Sequence, residues 1–302
     1  MAGKLPLILS VLIVGTWSVF PVPGETSLKL PEAEYAIEEF LDSGSSSQIY
    51  AATKVFGPES LPQHAAVKFV CPKNEDYLKH IDTEVIALSK LNKLDSSNVV
   101  HVIASTDVLE FQRGPRCRAI LLSRTGKDFD RFVSSTDDFN PPVLDGESMD
   151  NPKKISLEAF VASVGLILLK TLTTIHEAGV THGDIHNYNI ALSYPLGDQP
   201  VLIDFGGAIT RDSVSDIMFT RSQKNDVIQL RNFLITIVNQ RLDKLFGKLN
   251  RPSFATRSAF IKLLQATNDS IGLEVTLMKY LRDEFGMEWN DTSNKQIIYH
   301  AT

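Results

Sequence analysis

Apolar residues in the middle of the chain recur at steps of three and four, which is the spacing of one face of an α-helix. Within the segment 157–176 they stand at Val161, Val164, Leu168, Leu172 and Ile175. Ala178 and Gly179 follow, and a glycine at such a place often supplies the left-handed residue that ends a helix. The pattern therefore predicts a long helix over 157–176 that ends at Ala178-Gly179.

A second helix and an apolar strand are predicted nearer the N-terminus. Over 77–91, a helical stripe is formed by Leu78, Ile81, Val85 and Leu88. The preceding segment 65–70 reads as an apolar strand that contains one charged residue, Lys68. Burying a lysine is costly unless it has an oppositely charged partner. The predicted helix that follows can supply such a partner.

Two short apolar segments, 188–192 and 201–203, read as strands joined by a turn around 195–200. Polar residues flank both of them. His182, Gly183 and Asp184 precede the first strand, Asn189 lies within it, and Asp204 follows the second. A hairpin would hold Asn189 and Asp204 at one edge of a cleft. The remainder of the chain, 242–302, predicts further amphipathic helices, for example over 260–264 and 275–285, and carries no motif.

The segment 182–189 reads H-G-D-x-x-x-x-N, and Asp204-Phe205-Gly206 reads D-F-G. In this order and spacing, the two motifs resemble the catalytic loop and the metal-binding loop of the protein-kinase-like superfamily. The resemblance covers about residues 35–238. It implies an α+β, bilobal protein-kinase-like fold, with a small antiparallel β N-lobe over about 33–124 and a mainly helical C-lobe over about 125–302.

The resemblance also implies roles for single residues in phosphoryl transfer from ATP. Asp184 would orient the acceptor hydroxyl or accept its proton. Asn189 and Asp204 would hold Mg²⁺. Lys68, fixed by Glu84, would reach the α- and β-phosphates, as the lysine of the V-A-I-K strand does in kinases.

The loop expected to cover the phosphates departs from the kinase pattern G-x-G-x-x-G-x-V. In the segment 41–50, Asp42 stands at the first glycine position and Ser47 at the third, so only Gly44 remains. Glycine lets the backbone approach phosphates closely, whereas serine is small and can donate a hydrogen bond. The residues expected to contact the nucleotide are Gly44, Ser45, Ser46, Ser47, Ile49 and Ala66, together with Lys68 and Glu84.

Three features separate the chain from ordinary eukaryotic protein kinases. Gly183 stands where those kinases carry the arginine that pairs with a phosphorylated activation loop, so regulation by that route is not expected. His186 stands in place of a lysine, as in aminoglycoside and choline phosphotransferases, and would donate to the γ-phosphate or hold the loop. A helix beginning at Asp226, whose carboxylate would brace the catalytic loop, starts about twenty residues after D-F-G, with no A-P-E motif between. This combination is similar to compact atypical protein kinases.

We expect an ATP- and Mg²⁺-dependent kinase whose acceptor is an unidentified protein. Two other functions fit the same residues. His186 and the short segment after D-F-G suggest a small-molecule kinase of the aminoglycoside or choline type. The poor glycine loop, together with the expected secretory address described below, suggests a pseudokinase that acts as a secreted binding module. Retention of all the polar catalytic groups argues against the binding module, because a scaffold has no physical need for them together.

The first residues resemble a secretory signal peptide: Lys4 precedes an apolar run over 5–20, and Pro21-Val22-Pro23-Gly24 follows. The run is short for a membrane span, which needs about twenty apolar residues. We expect residues 1–24 to be removed, leaving a kinase-like domain over 25–302 that is secreted or resides in the secretory lumen. A signal anchor and an exposed apolar tail are the alternatives. No stable membrane span is expected.

Composition limits the choice of partners. The chain has 302 residues, of which 43% are apolar, enough for one bilobal unit with a full core. Its net charge is −6 and it has no basic run, so neither nucleic acid nor an anionic membrane is expected to be the main partner. In a secreted protein, Cys71 and Cys117 could pair or remain buried thiols, and Asn268 and Asn290 begin glycosylation sequons.

Overall fold

The chain folds into an antiparallel sheet followed by a mainly helical part, with a cleft between them. The computed structural model describes residues 27–44, 47–70, 75–94, 96–109, 117–129, 131, 157–195, 199–245, 254–267, 269–285, 287–289 and 297–299. Several predicted features lie outside the described residues: the signal peptide over 1–24, Ser45, Ser46, Cys71, Asn268 and Asn290.

Six antiparallel strands in the order β1-β2-β3-β4-β6-β5 form the N-terminal sheet. They are β1 Ser27–Lys29, β2 Glu34–Ser43, β3 Ser47–Phe56, β4 His64–Val70, β5 Val102–Leu109 and β6 Cys117–Ser123. The apolar strand predicted over 65–70 is β4, which pairs with β3 and β6 and is buried from Ala65 to Val70. Strand β1 was not predicted, because three residues are too few to show an alternating pattern.

Helix α1, Glu75–Leu91, connects β4 to β5 and confirms the helix predicted over 77–91. Ile81 and Leu88 of the predicted stripe are buried in the core, and Glu84 is buried with them. Residues three and four apart share one face of a helix, so Glu84 necessarily points inward with Ile81 and Leu88. The apolar stripe therefore carries a carboxylate into the interior, next to the sheet.

Among the described residues, the C-terminal part contains a three-stranded sheet, two strand pairs and four α-helices. Its elements are β7 Thr125–Asp128, α2 Leu157–Glu177, β8 Val180–Thr181, β9 Ile190–Ser193, β10 Pro200–Leu202, β11 Ile209–Thr210, α3 Asp216–Leu245, α4 Phe254–Gln265, α5 Ser270–Phe285, β12 Met287–Trp289 and β13 Ile297–Tyr299. The three-stranded sheet has the order β10-β9-β7, and β9 and β10 pair antiparallel, which confirms the predicted hairpin. Helices α4 and α5 confirm the helical character expected of the C-terminal remainder.

Helix α2 is the apolar centre of this part of the molecule. It confirms the helix predicted over 157–176 and is followed by Gly179, whose φ of 77° is the left-handed conformation expected at that place. Within the described residues, the window Phe160–Glu177 is long and apolar enough to cross a membrane, but 72% of it is buried inside the protein. Its composition is therefore explained by its position in the core.

The helix predicted to begin at Asp226 begins ten residues earlier, at Asp216, so that prediction is wrong. Of residues 216–225, Phe219 alone is buried, so this first part of α3 has no apolar stripe that a sequence pattern could reveal. The earlier start leaves only residues 207–215 between the D-F-G motif and α3. The segment that ordinary kinases use as an activation loop is thus shorter than the sequence analysis indicated.

Of the two apolar clusters that the described residues form, the larger contains buried residues from both parts of the molecule. It includes Leu88 of α1, Leu168 of α2, Leu202 of β10 and Leu234 of α3. Two backbone hydrogen bonds tie the segment after α1 to β10: Val100 N donates to Leu202 O at 3.0 Å, and Leu202 N donates to Asn98 O at 2.9 Å. The hairpin that leads to Asp204 is therefore anchored to the chain that follows α1.

Candidate active site

A cavity of about 300 Å³ lies between the two parts of the molecule. Ten of the predicted site residues line it: Gly44, Ser47, Ile49, Ala66, Lys68, Glu84, Asp184, His186, Asn189 and Asp204. The other two, Ser45 and Ser46, lie outside the described residues. The fold thus brings together residues that are up to 160 positions apart in the sequence, from Gly44 to Asp204.

Lys68 connects the two sides of the cavity. Its Nζ donates to both carboxylate oxygens of Glu84, at 2.9 and 2.8 Å, and to Oδ1 of Asp204 at 3.0 Å. Lys68 is 7% exposed and Glu84 is 2% exposed. Buried charges are tolerated when they are paired and hydrogen bonded. The contact between Lys68 and Glu84 that the sequence suggested is present, and Asp204 joins it.

The three charges shift one another's pKa. Burial alone would lower the pKa of Lys68, but the carboxylates of Glu84 and Asp204 outweigh burial and raise it. Partial burial would raise the pKa of Asp204, but the neighbouring Lys68 outweighs that effect and lowers it. Burial, together with the charge of Asp204, raises the pKa of Glu84 and outweighs the opposite effect of Lys68. At neutral pH, Lys68 is therefore protonated and Asp204 is ionised.

His182 joins the catalytic loop to the strand that precedes Asp204. Its Nε2 donates to Ile203 O at 3.0 Å, and its Nδ1 accepts from Asp184 N at 3.2 Å. Because a carbonyl oxygen only accepts, these two bonds define a neutral ring with its proton on Nε2. The ring is fully buried, and burial lowers its pKa although the charge of Asp226 opposes this effect. His182 is thus a fixed neutral support beneath Asp184.

The carboxylate of Asp184 faces the cavity, with 59% of its side chain exposed. Asn189 Nδ2 donates to Asp184 O at 2.9 Å and to Asp184 Oδ2 at 3.2 Å. Both partners of Nδ2 are acceptors, so the orientation of the amide is determined and Asn189 Oδ1 points away from Asp184. His186 Nε2 lies 3.4 Å from Asp184 Oδ2, and its Nδ1 accepts from Tyr188 N at 3.2 Å. His186 therefore lies against the carboxylate.

Asn189 and Asp204 offer oxygen atoms of the kind that Mg²⁺ binds. Asn189 Oδ1 has no partner among the described residues, and Asp204 Oδ1, but not Oδ2, accepts from Lys68 and Gly206. Mg²⁺ is commonly held by one or two protein oxygens, with phosphate oxygens and water completing the octahedron. In the described part of the chain, no cluster of three or more His, Cys, Asp or Glu could hold a metal. The oxygen atoms of Asn189 and Asp204 are thus of a kind that fits Mg²⁺.

The D-F-G turn and the catalytic loop pack backbone against backbone. Asp204 has left-handed dihedral angles, φ 60° and ψ 79°, and leads into a 3₁₀ turn over Phe205–Gly207. Gly183 has φ +83°, and a Cβ built there would overlap the carbonyl oxygen of Gly207. Only glycine combines this dihedral angle with this close approach. The arginine that ordinary kinases carry at this position cannot be accommodated here without moving the D-F-G turn.

Asp226 braces the catalytic loop, as predicted. Its Oδ1 accepts from Gly183 N at 2.8 Å, its Oδ2 accepts from His182 N at 2.9 Å, and His176 Nε2 lies 2.8 Å from Oδ2. Asp226 is fully buried. Backbone N–H donors stabilise a buried carboxylate strongly, so the long helix α3 fixes the start of the loop.

Asp42, which stands at the first glycine position of the kinase pattern, is paired with a residue that the sequence analysis missed. Its Oδ1 accepts from Arg131 Nη2 at 2.9 Å, and Arg131 Nη1 donates to Leu41 O at 3.2 Å. Arg131 Nε also lies 3.2 Å from Asp128 Oδ2. The charge of Asp42 is therefore compensated. No local pattern could identify Arg131, because it lies 89 residues from Asp42 in the sequence.

An apolar slot forms another part of the cavity. Ile49 and Ala66 were predicted there, and the structure adds Val100, Leu122 and Ile203. Ile203 ends the apolar segment predicted over 201–203, whereas the sequence analysis did not identify Val100 or Leu122 as cleft residues. An apolar lining of this kind suits a ring such as a nucleobase.

No family model and no curated protein matches the chain. Among solved structures, it is similar to vaccinia related kinase 3, with a TM-score of 0.55 and 16% identity over 88% of this chain and 93% of that chain. It is also similar to the BubR1 kinase domain, with a TM-score of 0.54 and 16% identity over 86% of this chain and 83% of that one. The chain therefore has the protein kinase fold, which confirms the predicted α+β bilobal architecture.

Proposed function

We propose that the chain is a phosphotransferase that uses ATP and Mg²⁺ and phosphorylates a hydroxyl group of a protein. The observation that carries the proposal is the contact of Lys68 with Glu84 and Asp204, at 2.8 to 3.0 Å, in the cavity that Asp184 and Asn189 also line. Phosphoryl transfer requires mainly positioning and charge compensation from the protein, and these five groups provide both.

Each group has one task in the proposed reaction. Lys68 binds the α- and β-phosphates of ATP, and Glu84 keeps it directed toward them. Asn189 and Asp204 would hold Mg²⁺, which would supply compensating charge for the phosphates. Asp184 orients the acceptor hydroxyl and takes its proton as the oxygen bonds to the γ-phosphorus and ADP leaves.

The remaining parts of the cavity support the nucleotide. The apolar slot that includes Ile49, Ala66 and Leu122 accepts the adenine ring. Gly44 and Ser47 lie in the loop proposed to cover the phosphates, and Gly44 N donates to Ser47 O at 2.9 Å.

The test is transfer of labelled phosphate from ATP to a mixture of proteins and, in parallel, to a set of small hydroxyl compounds. We expect Mg²⁺-dependent labelling of protein. Asp204→Ala should fold, because Lys68 keeps Glu84 as a partner, but it should lose about 10²-fold or more in turnover, as enzymes do without a key charged group. Asp216→Ala, at the exposed first turn of α3, is the matched control and should keep full turnover.

The outcomes separate the candidate functions. Equal turnover by Asp204→Ala and the wild-type protein would contradict the assigned role of Asp204. Labelling of small hydroxyl compounds without labelling of protein would instead support a small-molecule kinase of the aminoglycoside or choline type.

A secreted binding module is the second candidate, and the phosphate-covering loop is the observation that favours it. Asp42 takes the place of a glycine there and is held by Arg131, so the loop is tied by an ion pair rather than free to follow phosphates. This candidate predicts no transfer to any acceptor. Fold alone does not decide between enzyme and scaffold, so the transfer assay with Asp204→Ala is the deciding comparison.

A secretory address is part of the proposal and is supported by the apolar run over 5–20 that follows Lys4. Expression in secretory cells followed by N-terminal sequencing tests it. We expect a mature chain that begins at Glu25 or Val19, which corresponds to cleavage after Gly24 or Ser18. A protein that keeps Met1 and stays with the membrane fraction would instead support a signal anchor.

A further inference from the structure

We propose that Gln229 is a positioning residue for Asp184, an inference that rests on the phosphotransfer function proposed above. Gln229 lies on α3, three residues after Asp226. Its Oε1 accepts from Ile185 N at 2.9 Å, and its Nε2 donates to Gly183 O at 3.1 Å. One side-chain amide therefore bonds the backbone on both sides of Asp184.

Both peptide planes that flank Asp184 are held by side chains. In the plane before it, Gly183 O accepts from Gln229, and Asp184 N donates to His182 Nδ1 at 3.2 Å. In the plane after it, Asp184 O accepts from Asn189 Nδ2 at 2.9 Å, and the amide that follows donates to Gln229. Because each peptide unit is rigid, fixing the two planes fixes φ and ψ of Asp184. The direction of its Cα–Cβ bond is then fixed as well.

Gln229 is the one side chain, among the residues that the structure describes, with hydrogen bonds to both planes. His182 bonds the plane before Asp184, and Asn189 bonds the plane after it. Asp226 accepts from the amides of His182 and Gly183, which precede the two planes. Without Gln229, the two planes would lose the group that couples them.

The carboxylate of Asp184 depends on this backbone support because it has few contacts of its own. It is 59% exposed, and the partners of its Oδ2 are Asn189 at 3.2 Å and His186 at 3.4 Å. His186 is itself 41% exposed at its side chain. A base that must meet a hydroxyl within hydrogen-bonding distance is therefore positioned largely through the backbone beneath it.

The placement of Gln229 continues a polar stripe along α3. Ser222, Asp226 and Gln229 are spaced by four and three residues, so they share one helix face. Ser222 Oγ lies 2.8 Å from Thr181 Oγ1, and the other two residues bond the loop beyond it in sequence order. Successive turns of α3 thus contact successive residues of the loop, from Thr181 to Ile185. Gln229 makes the last of these contacts.

Two substitutions of Gln229 distinguish the hydrogen bond from Ile185 N from the hydrogen bond to Gly183 O. Gln229→Met keeps a side chain of similar length and removes both bonds. Gln229→Glu keeps an acceptor for Ile185 N and removes the donor to Gly183 O. Gln223→Met is the matched control, because Gln223 lies on the same helix and lines a groove against α2 rather than the catalytic loop.

The experiment measures kcat, the KM for ATP and residue-resolved amide hydrogen exchange in the full-length protein. We expect Gln229→Met to lower kcat about ten- to hundredfold, the size of effect that follows from misplacing a catalytic group, while the KM for ATP stays within about twofold. Ile185 N should exchange faster in Gln229→Met than in Gln229→Glu. Gln223→Met should match the wild-type protein in all three measurements.

Either of two results would overturn the inference: a wild-type kcat in Gln229→Met, or a kcat that falls only in proportion to a loss of thermal stability also seen in Gln223→Met. If Gln229→Met does not fold, the test uses Gln229→Glu instead. The change in its kcat is then compared with the change in its KM for ATP. If the wild-type protein transfers no phosphate, the proposed function fails, and hydrogen exchange at Ile185 still shows whether Gln229 holds the loop.

Discussion

Gly183 is the residue on which the contact between the catalytic loop and the D-F-G turn depends. Its φ is +83°, and a Cβ there would overlap Gly207 O. Gly179 offers a matched comparison, because its φ is +77° but a Cβ there would meet only the Cβ of Arg211, at an ordinary 3.5 Å.

Gly183→Ala should therefore destabilise the protein more than Gly179→Ala. A left-handed alanine costs about 1 to 2 kcal/mol at either position, and overpacking at residue 183 should add about 1 to 3 kcal/mol more. Urea unfolding of the two variants measures the difference. Equal midpoints and slopes for both would show that the two loops do not pack as described.

His182 should make stability depend on pH. Burial lowers its pKa from the ordinary 6.5, so below pH 6.5 the unfolded chain binds a proton that the folded chain does not. Stability should therefore be complete above pH 6.5 and fall as the pH drops, by up to about 1.4 kcal/mol for each pH unit in which only the unfolded state is protonated.

Urea unfolding at pH 7.5 and pH 5.5 tests this effect of His182. The free energy of unfolding should fall less in His182→Gln than in the wild-type protein, because glutamine does not titrate while its amide can still donate to Ile203 O. An identical fall in both proteins would assign the pH dependence to other groups.

At the scale of elements, strand β4 and helix α1 are coupled through a buried charge pair. Lys68→Met alone leaves the carboxylate of Glu84 buried without its cation, which typically costs about 3 to 5 kcal/mol. Adding Glu84→Gln removes that charge. The double variant should therefore be more stable than Lys68→Met, although it carries one more substitution.

A double-mutant cycle of Lys68→Met and Glu84→Gln, followed by urea unfolding, measures this coupling. If the double variant loses as much free energy of unfolding as the two single variants lose together, the contact seen at 2.8 to 2.9 Å contributes no interaction energy.

The elements that could be predicted from the sequence are helices with a periodic apolar face, α1 and α2, and strands formed by continuous apolar runs, β4 and the β9–β10 hairpin. The motifs at 182–189 and 204–206 lie next to the strands of the hairpin. The start of α3 could not be predicted, because its first ten residues are largely exposed and show no periodicity.

Contacts between distant residues set the second limit on prediction. Asp42 and Arg131 are 89 residues apart, and Gln229 is 46 residues from Gly183. A polar residue shows no local sign of such a partner, because only the folded backbone brings the two together. Lys68 and Glu84 were an exception, since a lysine inside an apolar strand requires a partner and the resemblance to kinases pointed to Glu84 on the next helix.

At the scale of the whole molecule, residues of the N-terminal sheet and residues of the helical part line the same cavity. Lys68 of β4 bonds Asp204 beyond β10, and Asp42 of β2 bonds Arg131 beyond β7. A ligand in the cavity would touch the sheet and the helical part together. Its binding should therefore stabilise the molecule as one unit against thermal unfolding.

The central claim, that this cavity is a working site for ATP with Mg²⁺, is tested most directly by thermal unfolding with and without the two ligands. We predict a rise in the midpoint that requires the metal, since a ligand at 100 times its Kd adds about 2.7 kcal/mol to the folded state. The rise should disappear in the double variant Lys68→Met with Glu84→Gln. No rise with millimolar ATP and Mg²⁺ would contradict the claim and leave the binding module as the better account.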